Sequence, residues 1–393
     1  MTLLLSACTV ARFFKWNFAN IDDHKRFLNA PVSNNPHAVF ALKTSSTDSV
    51  LFPKLQIKGQ RYIFEEGLEK SNTVAFLVLR NDTLIYERYF NKYGQDDWVN
   101  SFSVTKSFVS TLVGIAISEG YISSVDDPIG KYVPEVQGDL AQVSLRLLLE
   151  MRSGIDYNES YYSPFSDAAK DYYGRNIKKR YSKFDLEIKP DSYFQYRSVN
   201  TQLLAEAVEN ATDKMITDYL TEKLWQPLGM ESPASWSFDH KRDSTLKAFC
   251  CLNATARDFA KFGLLFLNKG NWHGKQLVPE HWVTEATTYD RAKNQFNYTY
   301  QWWTNRSVDS LSTQGFVPPL VHDTITMNDK PYFRYPDEDY FAEGHLGQFI
   351  YVNPEQRIVI VRLGKNYGGI QPDWNDYMQW IARKNGVKKE QLN

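Results

Sequence analysis

Residues 101–122 read SFSVTKSFVSTLVGIAISEGYI. After Lys106, the side chains of Phe108, Leu112, Ile115 and Ala116 fall on one face of a helix, with Val109, Val113 and Ile117 on its flank. A helix apolar nearly all round is a buried helix. Ser103 therefore opens a helix driven into the interior, where first-turn N–H groups lack intrahelical partners and can face a developing oxyanion. Three residues of helix rotate about 300°, which brings Ser103 and Lys106 onto one face. The pair reads either as a nucleophile with an activating amine or as a helix cap followed by a solvated lysine. Against the second reading, a lysine at a helix start opposes the macrodipole. Spacing alone is a weak signal, because STLK at Ser244–Lys247 repeats it, although AFCCLNATARD follows there instead of a long apolar helix.

Strand patterns lie on both sides of this helix. VAFLVLRNDTLIYERYF, from Val74, alternates around Asn81-Asp82 as a hairpin does. QFIYVNPEQRIVIVRLG pairs Gln348–Val352 with Arg357–Leu363 across Asn353-Pro354, where proline suits the turn. TARDFAKFGLLFLNKG predicts a helix with Thr255 and Asp258 as an N-cap pair and Gly270 as its stop. PDWNDYMQWIARKNG predicts a last amphipathic helix between Pro372 and Gly386. Strands near both ends with helices between predict an α+β fold: an antiparallel sheet flanked by helices, plus a mainly helical insert. The expected division is a sheet domain from residues 21–120 and 245–393, a helical domain from 121–244, and a possible export segment at 1–20.

The chain of 393 residues is long enough for two domains and an enclosed cleft. Lys plus Arg number 45 against 46 Asp plus Glu, with no long block of one sign, so nothing suggests a nucleic-acid footprint. A small neutral or zwitterionic ligand is the expected partner. Cys8, Cys250 and Cys251 supply neither a disulfide framework nor metal-ligand spacing, and the adjacent pair reads as two small buried residues. No metal and no cofactor is expected. Cys8 closes LLLSAC, which resembles the lipobox of bacterial lipoproteins, yet only seven residues precede it and none is basic. Either the true start lies upstream, making Cys8 a lipid anchor on a periplasmic protein, or the match is accidental and the protein is cytoplasmic.

Two more stretches carry chemistry. In FQYRSVNTQLLAEAVE, Tyr196 and Ser198 stand just ahead of a helix, and a tyrosine beside an ammonium can move a proton between a serine and a leaving group. In EGHLGQFIYV, His345 and Gly347 lead into the strongest strand; glycine lets a substrate approach, and the Gln348 N–H is a candidate oxyanion donor. Each also has a structural reading, Tyr196 as a core aromatic and His345 as a turn residue. There is no G-x-S-x-G elbow, H-E-x-x-H, P-loop or G-x-G-x-x-G pattern.

In the order S-x-x-K, Y-x-S, H-x-G, these elements resemble the serine hydrolases of the penicillin-recognising superfamily. The likeness is to the class C β-lactamase-like branch holding family VIII esterases and 6-aminohexanoate-dimer hydrolases, over roughly residues 70 to 380. LRLLLEMRSGIDYNESY and CCLNATARDFAKFGLLFLNKGNWHGKQLVPEHWV also resemble family segments. The resemblance implies a β-lactamase/transpeptidase-like fold, Ser103 as acylated nucleophile, Lys106 as its activator and Tyr196 as proton shuttle. It puts His345 where β-lactamases carry the lysine of KTG, and gives Tyr161 and Asn253 substrate contacts. HLG in place of KTG removes a cation that holds a β-lactam carboxylate, and Arg197 fills the middle of Y-x-S. The expected activity is cleavage of carboxylic esters or linear amides, with Tyr161, Tyr162, Tyr172 and Tyr173 lining the helical part of the cleft. The alternative is a penicillin-binding-like sensor, or weak β-lactamase, that acylates without efficient turnover.

Overall fold

The computed structural model describes residues 2–16, 18–45, 50–240, 245–288, 297–305, 309–310, 323–327, 330–334, 338–371 and 373–387. The chain divides into two compact units. One comprises Met1–Ala38, Trp98–Ala254 and Leu277–Trp282, the other Val39–Asp97, Thr255–Gln276 and Val283–Asn393.

The second unit is built on the two expected hairpins. Thr73–Arg80 pairs antiparallel with Thr83–Tyr89, and Gln348–Asn353 with Ile358–Gly364; Ile358 to Leu363 then pair with Arg80 to Ala75, joining the hairpins side by side. Tyr340–Gly344 extends the sheet beyond Gln348–Asn353, and Lys43–Thr44 adds a parallel edge beside Thr83–Leu84. The helix Ala256–Leu267 packs on this sheet at Gly263, where a Cβ would lie 2.6 Å from Val359 Cγ1. Its Thr255 cap accepts from the Asp258 N–H, as the sequence predicts. Trp374–Asn385 opens with a capping box formed by Asp373 and Asp376. Its Trp374, Tyr377, Met378 and Ile381 share a core with Phe76, Val78, Phe349, Tyr351 and Ile360. Each such side chain contributes roughly 1.5–3 kcal/mol by leaving water.

The first unit holds the Ser103 helix, Val104–Ser118, buried from Val104 through Ala116. It packs against Ser198–Thr212, and Trp282 fits into the space left at Gly114, where a Cβ would come within 2.4 Å of the indole. A small antiparallel sheet runs Leu28–Val32, Ala234–Phe238, Leu252–Ala254, Val99–Asn100. Its last pairing, Val99 with Ala254 and Asn100 with Asn253, sets the start of the Ser103 helix beside residues 249–252.

The unit boundaries differ from those expected. The Ser103 helix groups with the helical segment because its apolar surface packs on Ser198–Thr212. Residues 1–38 belong to the same unit: Thr2–Trp16, which contains Cys8, is helical, and Phe13 packs edge-on against Tyr173 at 5.3 Å.

Candidate active site

The backbone turns sharply into the Ser103 helix. Phe102 has φ +46°, a left-handed conformation that costs a bulky residue about 1–2 kcal/mol. Its N–H donates to Asn100 Oδ1 at 3.0 Å, and its ring stacks with Tyr172. Ser101 is tied in from both ends, its N–H to the Leu252 carbonyl and its hydroxyl to Thr105 Oγ1. Ser103 thus stands at the mouth of a helix whose first turn is held rigidly, with its own side chain half-buried.

Lys106 Nζ donates to Ser103 Oγ at 2.9 Å and to the Phe249 carbonyl at 2.8 Å. The lysine is 1% exposed, and its ammonium lies 5.0 Å from the Tyr196 ring centroid and 5.8 Å from that of Phe249. Burial pushes the Lys106 pKa down to about 8, against the Glu159 carboxylate, which raises it. The three sequence-predicted residues therefore converge: Ser103 and Lys106 through a hydrogen bond, Tyr196 through its ring over the ammonium. The solvated-lysine reading fails because the helix start is enclosed.

The residues on either side of Tyr196 are anchored to the turn at residues 151–154, which reads MRSG. Met151, at φ +57°, accepts the Gln195 N–H on its carbonyl at 2.8 Å, while Ser153 Oγ donates to Asn200 Oδ1 at 2.6 Å. Ser198 begins the following helix fully buried. Its N–H donates to Glu159 Oε2 at 2.7 Å and its hydroxyl to Glu159 Oε1 at 2.5 Å. Tyr161, 40% exposed, also donates its hydroxyl to Glu159.

Glu159 is thus a site residue that the sequence reading missed. It receives Ser198 and Tyr161, sits at a helix N-terminus where a carboxylate is favoured, and acts electrostatically on Lys106. It lies in the NESYY stretch singled out for Tyr161, but no local pattern links it to Ser198, 39 residues away.

Other expected residues take different places. Asn253 is fully buried in Leu252–Ala254, and its amide donates to the Ser235 and Cys251 carbonyls at 3.1 and 3.0 Å. Its amide nitrogen is thus engaged with the surrounding backbone. Tyr172 and Tyr173, expected to line the helical part of the cleft, are both buried, Tyr172 donating to Asp23 Oδ2 at 2.7 Å and Tyr173 packing on Phe13. Tyr162 is 77% exposed. Cys250 and Cys251 are buried as expected, but joined in a disulfide, which corrects the reading of two independent small residues. Of the second S-x-x-K stretch, STLK, Ser244 lies outside the described residues; Lys247 is buried, its ammonium donating to the Asp171 carbonyl at 3.1 Å.

In the sheet unit, Gly344–Gly347 makes the turn between strands, with the Gly347 N–H donating to the Gly344 carbonyl at 3.1 Å. Leu346 and Gly347 both have positive φ, +67° and +79°, and a Cβ on Gly347 would meet Arg362 Nη1 at 2.3 Å. Both features favour glycine at position 347. Gln348 bridges its turn to the neighbouring strand, its side-chain amide donating to the His345 and Gly364 carbonyls and accepting from the Gly364 N–H. Burial lowers the His345 pKa below its ordinary value, disfavouring the charged imidazolium.

The Beta-lactamase family description matches residues 61–378. A 6-aminohexanoate-dimer hydrolase of Paenarthrobacter ureafaciens is 32% identical over 261 aligned positions, covering 61% of this chain and 66% of that protein's length. Among solved structures, a Bacillus anthracis protein provisionally named a 6-aminohexanoate-dimer hydrolase superposes with a TM-score of 0.76 at 23% identity, over 95% of this chain and 94% of that one. A D-stereospecific amidohydrolase from Streptomyces gives a TM-score of 0.57 at 16% identity, over 80% of this chain and 96% of its own. At these identities the structural likenesses establish a common fold, the α+β arrangement expected from the sequence. With the family match spanning most of its residues, the chain belongs to the Beta-lactamase family.

Proposed function

We propose that this protein is a serine hydrolase that cleaves carboxylic ester or linear amide bonds through an acyl-enzyme at Ser103. The observation that carries the reading is the buried Lys106 ammonium 2.9 Å from Ser103 Oγ, with its pKa depressed to about 8. A serine is a poor nucleophile until a base takes its proton, and an ordinary lysine is charged at neutral pH. Burial makes the neutral amine accessible.

In this reading neutral Lys106 accepts the Ser103 proton as Oγ bonds to the substrate carbonyl carbon. The oxyanion faces the N-terminal turn of the Ser103 helix. Collapse breaks the bond to the leaving group, which takes a proton from the Tyr196 phenol, and Lys106 returns a proton to Tyr196. Water then hydrolyses the acyl-enzyme by the same relay in reverse. His345, Gly347 and Gln348 serve as the substrate-binding strand edge that the family resemblance implies, with Gln348 N–H as an oxyanion donor and Tyr161 as a substrate contact. His345 supplies no permanent cation, which favours short acyl esters and linear amides uncharged beside the scissile bond over β-lactams. The P. ureafaciens relative makes 6-aminohexanoate dimer the first amide to try.

The test is steady-state release of p-nitrophenol from p-nitrophenyl butyrate, followed by a panel of linear amides and nitrocefin. Many product equivalents per protein are expected. A single stoichiometric burst without further release would establish a sensor in place of a turning-over enzyme.

A further inference from the structure

The disulfide between Cys250 and Cys251 lies next to the carbonyl that holds Lys106, and nothing in the reaction just described uses it. The peptide joining Phe249 to Cys250 is pinned on both edges. Its carbonyl accepts from Lys106 Nζ at 2.8 Å, and its N–H donates to the Lys247 carbonyl at 3.1 Å. The next two carbonyls are fixed as well. Trp236 Nε1 donates to Cys250 O at 2.9 Å, while the Ser237 N–H and Asn253 Nδ2 both donate to Cys251 O at 3.0 Å. Leu252 then ties the segment to the start of the Ser103 helix, its N–H donating to Thr105 Oγ1 at 3.2 Å and its carbonyl accepting from the Ser101 N–H at 3.0 Å.

Within this run Cys251 adopts φ +75°, where an ordinary L-residue is disfavoured. A bond between neighbouring sulfurs closes a small ring through the peptide they share and so restricts the rotations on either side of it. Both cysteines are buried, 3% and 0% exposed, as is Phe249, whose ring helps to exclude water from the Lys106 ammonium.

We propose that the Cys250–Cys251 disulfide is a positioning element for Lys106, holding the Phe249 carbonyl and ring against its ammonium. Asn253 joins in this support by bonding the Cys251 carbonyl. Reduction by a dithiol, which supplies two electrons and two protons and itself becomes a cyclic disulfide, opens the ring and frees the Phe249 peptide. Water then reaches the ammonium, the proton is held more tightly, and the amine is less available to Ser103. Cys250 and Cys251 act through Lys106 and touch no substrate.

This inference rests on the proposed Ser103–Lys106 chemistry, and its test separates the two. Wild-type enzyme is purified both in air and throughout in dithiothreitol, and Cys250→Ser/Cys251→Ser is prepared beside it. Peptide mapping after thiol blocking reports the cysteine state, circular dichroism confirms folding, and kcat, KM and the pH profile of kcat/KM are measured with p-nitrophenyl butyrate. The air-purified protein is expected to carry the disulfide. The reduced enzyme and the double variant are expected to lose at least about tenfold in kcat with KM little changed, and their acid limb moves to higher pH. Reoxidation restores both. Free thiols at both positions in the air-purified enzyme would overturn the proposal, as would an unchanged kcat and acid limb in the reduced protein. If the double variant does not fold, the reduced wild type decides. Failure of Ser103 to acylate in any form would instead sink the proposed function.

Discussion

Replacing Glu159 by Gln tests the electrostatics of the site most sharply. Gln keeps the length of the side chain and one acceptor oxygen for the Ser198 and Tyr161 hydroxyls, gives up the acceptor that receives the Ser198 N–H, and removes the charge that favours the Lys106 ammonium. With Lys106 at about 8, about a tenth of the wild-type molecules carry the neutral amine at pH 7, against roughly one in 3000 for a lysine at 10.5. Burial thus raises the reactive fraction about 300-fold. Wild-type kcat/KM for p-nitrophenyl butyrate should rise about tenfold per pH unit below 7 and level off above about 8.5. The sign for the variant follows from the carboxylate. An anion raises an ammonium pKa, so its loss lowers it and moves the acid limb to lower pH. Each unit of that movement multiplies the rate at pH 6 by about ten. The assay is the initial rate across pH 5.5–9.5, with thermal unfolding followed in parallel to correct for folded fraction. A limb that stays in place, or moves upward, would refute the assigned coupling.

Lys106→Ala and Tyr196→Phe should each lose at least about two orders of magnitude in kcat, with smaller effects on KM. Their double variant should be far less impaired than the product of the single losses, because the relay is already broken; full additivity would contradict a shared proton path. Lys247→Met should keep kcat within about threefold per folded molecule. Lys247 is as buried as Lys106, and burial likewise pushes its pKa down to about 8, but its ammonium bonds the Asp171 carbonyl. Inactivation of that variant without unfolding would show that the wrong lysine has been chosen. Nitrocefin should be turned over with lower kcat/KM than p-nitrophenyl butyrate, and His345→Lys should narrow the gap by restoring a cation. A wild type that prefers nitrocefin would overturn the substrate reading.

The elements legible in the sequence are those with a short-range period. The Val74 and Gln348 hairpins are short apolar runs broken by Asn81-Asp82 and Asn353-Pro354, enough to mark both strands and turns, and the apolar surround of the Ser103 helix marks it as buried from its residue pattern alone. Burial in turn makes Lys106 anomalous, and an anomalous lysine singles out Ser103. What escapes depends on long-range meetings. Glu159 joins Ser198 only after the chain returns to the Met151 turn, where the Gln195 N–H donates to the Met151 carbonyl. Tyr172 looks like any exposed-cleft tyrosine until its hydroxyl donates to Asp23, almost 150 residues earlier. Asn253 has the character of a loop residue, yet it belongs to a three-residue strand in which it pairs with Asn100. The boundary expected at residue 120 is misplaced for a related reason: periodicity shows that a helix is buried but not which unit buries it.

The central claim is that Ser103 is the acylated residue, and the most direct measurement is identification of the residue that an active-site serine probe modifies. Wild-type protein is treated with a fluorophosphonate, digested and mapped by tandem mass spectrometry, alongside Ser103→Ala. A single adduct is expected on Ser103 itself, blocked by prior incubation with an ester substrate and absent from the folded variant, which should also form no acyl-enzyme. An adduct on Ser198 or Ser244, or labelling and turnover that persist in Ser103→Ala, would contradict it.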